Sequence, residues 1–175
     1  MVTFDDGYRN ILENVSPVMK KHSIPFTVFV TSGYVDGDFT PLELVLYEAL
    51  TERNQLKIRF DGEEQLFPCG TDTEFNRSLK ELYTRAKPCP PERREELYEQ
   101  LPDSEGNTTK SNRDIFLSWD ELRQIKRDVG QLVSLQMHGH SHTPFDVLTR
   151  SQIQNEIRTS RQLFEENINT HPEEL

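Results

Sequence analysis

The chain has 175 residues, which indicates one domain or one domain carrying an insertion. Its formal net charge is −10 and no basic stripe interrupts it, which excludes nucleic-acid binding through a general electrostatic footprint. No apolar run approaches the roughly 20 residues of a membrane-spanning helix, so no transmembrane segment is expected in this chain. No signal peptide is visible at its start. The compartment is therefore unknown, with the cytoplasm favoured.

The first 35 residues predict a strand, a helix and a second strand. The short strand VTF ends at two adjacent acids, and apolar residues then recur at helical spacing over residues 8–21. Pro17 lies within that pattern, where it is expected to kink or restart the helix. Residues 24–32, IPFTVFVTS, are rich in β-branched and aromatic side chains and predict the second strand. This order indicates a βαβ unit, and hence a parallel sheet in an α/β fold.

The middle of the chain has a different character, and we interpret residues 36–114 as an insertion or small subdomain that is mainly helical. Its predicted elements are a helix over 40–52, a hairpin over 57–67 turning at Asp61 and Gly62, two helices within 72–101 and a mobile polar loop over 102–112. Cys69 and Cys89 lie here without the spacing of a CxxC motif. They are predicted to be free thiols, or one disulfide if the protein is exported.

The regular pattern returns in the last third of the chain. Ser118 followed by Glu121 is a capping box, which predicts a helix running to about Arg127. Residues 131–137, QLVSLQM, predict a third core strand. A second capping-box pattern begins at Thr149 and predicts a helix running to about residue 167.

Two polar clusters follow the predicted ends of strands. Asp5 and Asp6 come directly after the first strand, and His138 and His142 come directly after the third. Adjacent acids alone are most simply a surface turn, because buried carboxylates are costly unless something neutralises them. The carboxyl ends of parallel strands lie on one side of a sheet, however, which would bring the two clusters together.

Two imidazoles four residues apart can converge on one ion, either on one face of a helix or around a tight turn. Gly139 and Pro144 favour the turn. One carboxylate and two histidines, with a position left for water, form a ligand set typical of catalytic zinc. His140 is expected to point away from the ligands, at the surface or in an outer shell. Ser141 and Thr143 are expected to make local turn hydrogen bonds.

The two clusters resemble a known family. TFDDGYRN at 3–10 and HGHSHTPF at 138–145 resemble the first two motifs of the polysaccharide deacetylases, the NodB-homology or carbohydrate esterase family 4 group. The segments 118–122 and 148–157 also look like those that flank the family's histidine motif. The resemblance implies a deformed (β/α) barrel, here partial. The core of this deacetylase-like domain would comprise residues 1–35 and 115–175 and would be incomplete at its C-terminal side. Residues 36–114 would be the insertion.

The resemblance also implies roles for individual residues. Asp5 would be the general base, and Asp6, His138 and His142 would bind a divalent metal ion. Zinc suits these donors best, while manganese, cobalt or nickel would fit the same set. The implied reaction is hydrolysis of acetyl groups from a polysaccharide or oligosaccharide, with N-acetyl favoured over O-acetyl. The implied partner is therefore an acetylated glycan.

The sequence departs from the family pattern beyond the histidine motif. Residues 146–175 contain no equivalent of the family's later arginine, aromatic and distal histidine motifs, and His171 is not assigned the acid role. We therefore expect the native protein to continue past Leu175. Two alternatives stay open: a hydrolase of a non-sugar, amide-like C–N bond on the same fold, and a catalytically silent, metal-bound glycan-binding module. Trp119 could stack on a sugar, but packing is the simpler expectation.

Overall fold

A computed structural model describes residues 1–60, 62–101 and 114–168. The chain divides into two compact units. The described residues of the first unit are 1–39, 114–143 and 149–168, and those of the second are 40–60, 62–101 and 144–148. The loop predicted over 102–112, Asp61 and His171 lie outside the described residues. The interpretation of 36–114 as an insertion stays a prediction.

The described residues form strands and helices, each numbered in chain order. The strands are β1 (Val2–Phe4), β2 (Phe26–Val30), β3 (Gln55–Phe60), β4 (Glu63–Pro68) and β5 (Val133–Met137). The α-helices are α1 (Ser16–Lys21), α2 (Ser32–Asp36), α3 (Leu42–Leu50), α4 (Asp72–Ala86), α5 (Pro91–Tyr98), α6 (Trp119–Val129) and α7 (Arg150–Ile168). A π-helical turn covers Ile11–Val15, and 3-10 turns cover Gly130–Leu132 and Phe145–Val147.

The first unit is built on a parallel sheet whose described strands have the order β1-β2-β5. Val28 in the central strand pairs with Phe4 on one side and with Leu135 on the other. Alternate residues of β2 and β5 are buried, and helix α6 packs on β5. The α/β class with a parallel sheet is therefore confirmed. All three strands end at the same edge, so the residues that follow them lie near one another.

The segment after β1 differs from its prediction. The helix was expected to begin at Tyr8, but the helical residues begin at Ile11, with a π-helical turn before α1. The reason is that Tyr8 forms an isolated antiparallel bridge with Phe116, which holds its backbone out of a helix. The interruption expected at Pro17 is confirmed, because Pro17 lies in the first turn of α1. A proline is tolerated there, since the first N–H groups of a helix need no partner within it.

Both capping boxes predicted for the first unit are confirmed. The backbone N–H of Glu121 donates to Ser118 Oγ, and the backbone N–H of Ser118 donates to the Glu121 carboxylate at 2.8 Å. Thr149 and Gln152 exchange the same pair of bonds at the start of α7. These bonds satisfy N–H groups that the first turn of a helix leaves without partners. Helix α6 continues to Val129, two residues past the predicted end.

The second unit contains the antiparallel hairpin β3–β4 and helices α3, α4 and α5, as the sequence predicts. Its core is apolar and includes Leu46, Leu50, Leu56, Ile58, Phe67, Leu82 and Leu97. Cys69 is buried and Cys89 is half-buried, and both are free thiols, which confirms the first of the two cysteine alternatives. Burial raises the pKa of the Cys69 thiol above its usual value.

None of the described helices combines the length and the apolar character that a membrane span requires.

Candidate metal centre

Asp5 and Asp6 leave the end of β1 in a tight turn. Asp6 has a backbone φ of 69° and Gly7 a φ of 83°, and the N–H of Gly7 donates to the carbonyl of Asp5 at 2.9 Å. The turn leaves the Asp5 side chain exposed and half-buries that of Asp6. Thr31, directly after β2, donates its hydroxyl to Oδ1 of Asp6 at 3.4 Å. Asp6 is therefore fixed at the carboxyl edge of the sheet.

His138 and His142 leave the same edge from β5. The N–H of His138 donates to the carbonyl of Val30 at 2.9 Å and so extends the pairing of β5 with β2. The chain then reverses, with a φ of 78° at Gly139 and 57° at His142. A positive φ is disfavoured for a residue with a side chain, so His142 depends on its surroundings to stay in place. The two histidines were expected either on one face of a helix or around a tight turn. The structure has them around a tight turn.

The two imidazoles and the Asp6 carboxylate meet at one place. Nε2 of His142 lies 3.3 Å from Oδ1 of Asp6, and Nε2 of His138 lies 3.7 Å from the same oxygen. The three ligand atoms all lie within 4.8 Å of one another. Donors that share a zinc ion at about 2.0–2.2 Å are themselves separated by about 3–4 Å. The donor types and their spacing therefore fit a divalent cation.

The side chains of the centre are partly exposed to solvent. The side chain of Asp6 is 17% exposed, while those of His138 and His142 are 34% and 40% exposed. A structural zinc site is closed by four protein ligands, whereas a catalytic site keeps a position for water or substrate. Among the described residues three donors converge, one fewer than in a closed structural site.

Tyr34 in α2 contacts the second histidine. Its hydroxyl lies 3.0 Å from Nδ1 of His142, and the Tyr34 ring is buried against Phe116, with ring centroids 4.7 Å apart. An imidazole that offers Nε2 to a cation carries its hydrogen on Nδ1, which then donates to a neighbouring acceptor. The Tyr34 oxygen is placed to accept that hydrogen bond. It would fix both the tautomer and the orientation of the ring.

Glu156 in α7 binds the turn between the two histidines. Its Oε2 accepts the backbone N–H groups of His140 and Ser141, both at 2.8 Å. Glu156 is only 9% exposed, so these bonds form largely out of contact with water. Hydrogen bonds to an ionised carboxylate are stronger than those between neutral groups.

The carbonyl of Gly139, in the same turn, is bound from two helices. The hydroxyl of Ser160 in α7 donates to it at 3.2 Å, and the backbone N–H of Ser32 in α2 donates to it at 3.2 Å. The N–H of Gly33 donates to the next carbonyl, that of His140, at 3.0 Å. Both the backbone N–H groups and the backbone carbonyls of this turn are therefore hydrogen-bonded to residues of the surrounding helices.

His140 takes part in different contacts from the two candidate ligands. Its Nδ1 lies 3.0 Å from the hydroxyl of Ser32, its Nε2 lies 3.9 Å from Oδ2 of Asp38, and its ring meets Phe39 edge-on. The His140 side chain is only 13% exposed. Of the two positions expected for it, the surface and an outer shell, the surface position is therefore wrong. Ser32, His140 and Asp38 are the residue types of a serine hydrolase triad. Ser32 is 0% exposed, however, and its hydroxyl cannot reach a substrate.

Ser141, Thr143 and Trp119 make the contacts that the sequence predicts. Ser141 and Thr143 form a local pair in which the hydroxyl of Ser141 donates to that of Thr143 at 2.9 Å. Trp119 packs edge-on against Phe164, and its Nε1 donates to Asp36 at 2.6 Å. Packing is therefore the supported interpretation of Trp119.

Four residues around the centre were not predicted: Thr31, Tyr34, Glu156 and Ser160. Glu156, Ser160 and Phe164 recur at a spacing of four, which places them on one face of a helix. An acid and a serine on an otherwise apolar face were a usable signal of a buried polar contact. For Thr31 and Tyr34 no sequence signal exists, because their partners are far away along the chain.

Comparison with known proteins finds a matching family model and similar solved structures. The family model described as polysaccharide deacetylase matches residues 1–174. The deacetylase domain of BpsB from Bordetella bronchiseptica is 16% identical with a TM-score of 0.46, the alignment covering 97% of this chain and 51% of that one. The de-N-acetylase from Aggregatibacter actinomycetemcomitans is 14% identical with a TM-score of 0.45, covering 97% and 50%. The chain thus spans about half the length of these solved structures. No curated protein matches it.

Proposed function

Because this chain belongs to the polysaccharide deacetylase family, we propose that it is a metal-dependent hydrolase that removes acetyl groups, mainly N-acetyl, from a polysaccharide or oligosaccharide. The observation that carries the proposal is the convergence of Asp6, His138 and His142, whose ligand atoms lie within 4.8 Å of one another. This convergence comes from two distant segments, so a local surface turn does not account for it.

The three convergent residues would hold the divalent cation, with zinc the best match to two imidazoles and a carboxylate. A cation bound there supplies Lewis acidity, which polarises an acetyl carbonyl and lowers the pKa of water. Thr31 and Tyr34 orient the ligands through their bonds to Asp6 and His142. Such outer partners tune both the position and the basicity of the ligands.

Asp5 is the proposed general base. Its side chain is exposed and directly precedes the candidate ligand Asp6 in the chain. In this proposal Asp5 takes a proton from the water whose oxygen attacks the acetyl carbonyl carbon. The bond from that carbon to nitrogen then breaks as Asp5 passes the same proton to the nitrogen, which releases acetic acid and a free amine. The adjacent acids thus have separate tasks, one as a ligand and the other as a base.

The proposal is tested by measuring acetate release from N-acetylglucosamine oligomers and other acetylated glycans. The chain is first loaded with Zn²⁺ and its metal content is measured. We expect acetate release that stops when a chelator removes the ion and resumes when Zn²⁺ is restored. The control variant is Asp128→Asn, an exposed acid on α6 outside the centre.

Three other outcomes would point elsewhere. Release from small amides but from no acetylated sugar would select the non-sugar C–N hydrolase. Glycan binding by the Zn²⁺-loaded protein without any acetate release would select the silent glycan-binding module. If no divalent ion binds at all, the metal-dependent reaction is refuted.

A further inference from the structure

We propose that Glu156 is a positioning residue for the candidate metal centre: it holds the turn between His138 and His142 so that the two imidazoles face the same point. The inference rests on the proposed function, since it concerns how the same centre binds its cation. Glu156 itself touches none of the three candidate ligands' side chains among the described contacts. It acts on them through the backbone of His140 and Ser141.

The first argument is the kind of bond that Glu156 makes. A single oxygen, Oε2, accepts two successive backbone N–H groups at 2.8 Å each. Both of these N–H groups belong to residues between the two histidines. A carboxylate in this position fixes the direction of two consecutive peptide planes, which leaves the chain little freedom between the candidate ligands.

The second argument is the fit of the turn around the carboxylate. Gly139 has a φ of 78°, and a Cβ added there would lie 3.4 Å from Oε2 of Glu156. The glycine therefore provides the backbone conformation, while a Cβ at this position would make only ordinary contact with the carboxylate. Ser160, one helical turn further along α7, binds the Gly139 carbonyl. One face of α7 thus holds both the N–H side and the carbonyl side of the turn.

The third argument concerns His142. Its positive φ of 57° is an unfavourable conformation for a residue with a side chain, and such conformations persist only where surrounding contacts impose them. Glu156 binds the N–H of Ser141, the residue directly before His142. Without the carboxylate the turn can relax to a more favourable backbone, which would move the His142 ring away from Asp6. All three ligands would still be present, but they would be less well organised.

The experiment measures Co²⁺ binding from the visible absorption of the bound ion, and Zn²⁺ binding by competition with a chromogenic chelator. The variants are Glu156→Ala, which removes the acceptor, and Glu156→Gln, which keeps an oxygen acceptor of the same size without the charge. We expect Glu156→Ala to weaken binding by up to about 10–100-fold, the range seen when a group bonded directly to a metal ligand is lost. The Co²⁺ spectrum should also change, because ligand geometry sets it.

Glu156→Gln should restore part of the affinity and most of the wild-type spectrum. This rescue by a similar residue distinguishes positioning from a general loss of stability, and it keeps the test valid if Glu156→Ala fails to fold. The matched control is Glu166→Ala, an exposed acid on the same helix. It should leave both the affinity and the spectrum unchanged.

A second readout needs no metal. Amide hydrogen exchange measured by NMR on the metal-free protein should show faster exchange at His140 and Ser141 in Glu156→Ala, while the amides of β2 stay protected. The inference is overturned if those two amides exchange as in the wild type. It is also overturned if they lose protection but Co²⁺ affinity and spectrum do not change.

The two proposals fail in different ways. If the wild-type protein binds neither Co²⁺ nor Zn²⁺, the proposed function is wrong, and the positioning role falls with it. If the wild type binds the ions and releases acetate, but Glu156→Ala binds them equally tightly, only the positioning role is wrong.

Discussion

The hydroxyl of Tyr34 lies 3.0 Å from Nδ1 of His142. The other nitrogen of the same ring, Nε2, lies 3.3 Å from Oδ1 of Asp6. The imidazole therefore sits between a phenol and a carboxylate, with one nitrogen facing each. A ring held in this way already has Nε2 directed toward the centre, which lowers the entropy cost of binding a cation there.

Replacing Tyr34 with phenylalanine should weaken Zn²⁺ binding while leaving the fold intact. Tyr34→Phe removes the partner of Nδ1 but keeps the ring that packs on Phe116. We expect a loss of up to about 10–100-fold in Zn²⁺ affinity, measured by chelator competition. Tyr47→Phe, at an exposed position in α3, is the control and should not change the affinity. Equal affinities for Tyr34→Phe and the wild type would show that the phenol does not orient His142.

Removing the charge of Asp6 should abolish most metal binding. Asp6→Asn keeps the shape of the side chain but lacks the negative charge that attracts a cation. We expect a loss of Zn²⁺ affinity greater than the roughly 100-fold upper value for outer partners. Isothermal titration of Zn²⁺ into the metal-free protein measures it. Unchanged binding by Asp6→Asn would remove the carboxylate from the ligand set.

The same substitution at the neighbouring acid should have a different effect. Asp5→Asn should lower kcat for acetate release by about 10²–10⁴, the usual contribution of a general base. Zn²⁺ affinity should stay at the wild-type value, because Asp5 is not among the three convergent donors. Acetate release is followed with an enzyme-coupled assay at saturating Zn²⁺. A variant with normal kcat, or one that has lost its metal, would contradict the separate tasks assigned to the two acids.

Gly33 should not tolerate a side chain. A Cβ at this position would lie 2.5 Å from the carbonyl oxygen of His140 and closer still to the ring of Phe39, far inside normal contact. We expect Gly33→Ala to lower the free energy of unfolding by about 1–3 kcal/mol, measured by urea denaturation. It should also weaken Co²⁺ binding, since the displaced carbonyl belongs to the turn between the two histidines.

Gly62→Ala provides the comparison for that prediction. Gly62 has a φ of 87° but open space around it. Its replacement should cost about 1–2 kcal/mol from the backbone alone and leave Co²⁺ affinity unchanged. If Gly33→Ala bound Co²⁺ as tightly as Gly62→Ala does, the close contact at Gly33 would have no influence on the centre.

The two cysteines should differ in reactivity. Cys69 is buried, and burial raises the pKa of its thiol, so little thiolate is present or accessible at neutral pH. Cys89 is half-buried. We expect a disulfide reagent at neutral pH to modify Cys89 in the Cys69→Ser variant at least about ten times faster than Cys69 in the Cys89→Ser variant. Raising the pH should speed the reaction of Cys69. Equal rates in the two variants would contradict the burial of Cys69.

The sequence alone determined the local structure around the centre. The capping boxes at Ser118 and Thr149 could be predicted because both partners lie within three residues of each other. The meeting of Asp6 with His138 could be predicted because parallel strands place their carboxyl ends on one edge. Both conclusions need only chain order and residue type.

Only the tertiary structure decided how the centre is supported. Tyr34 reaches His142, and Tyr8 bridges Phe116, across long stretches of chain whose packing no local pattern specifies. Glu156 binds the histidine turn because α7 packs against α2 and β5. The free energy of such contacts depends on how the helices pack on the sheet. A pattern of residue types indicates which faces of helices and strands are buried. It does not indicate which polar groups will be in contact once those faces have packed.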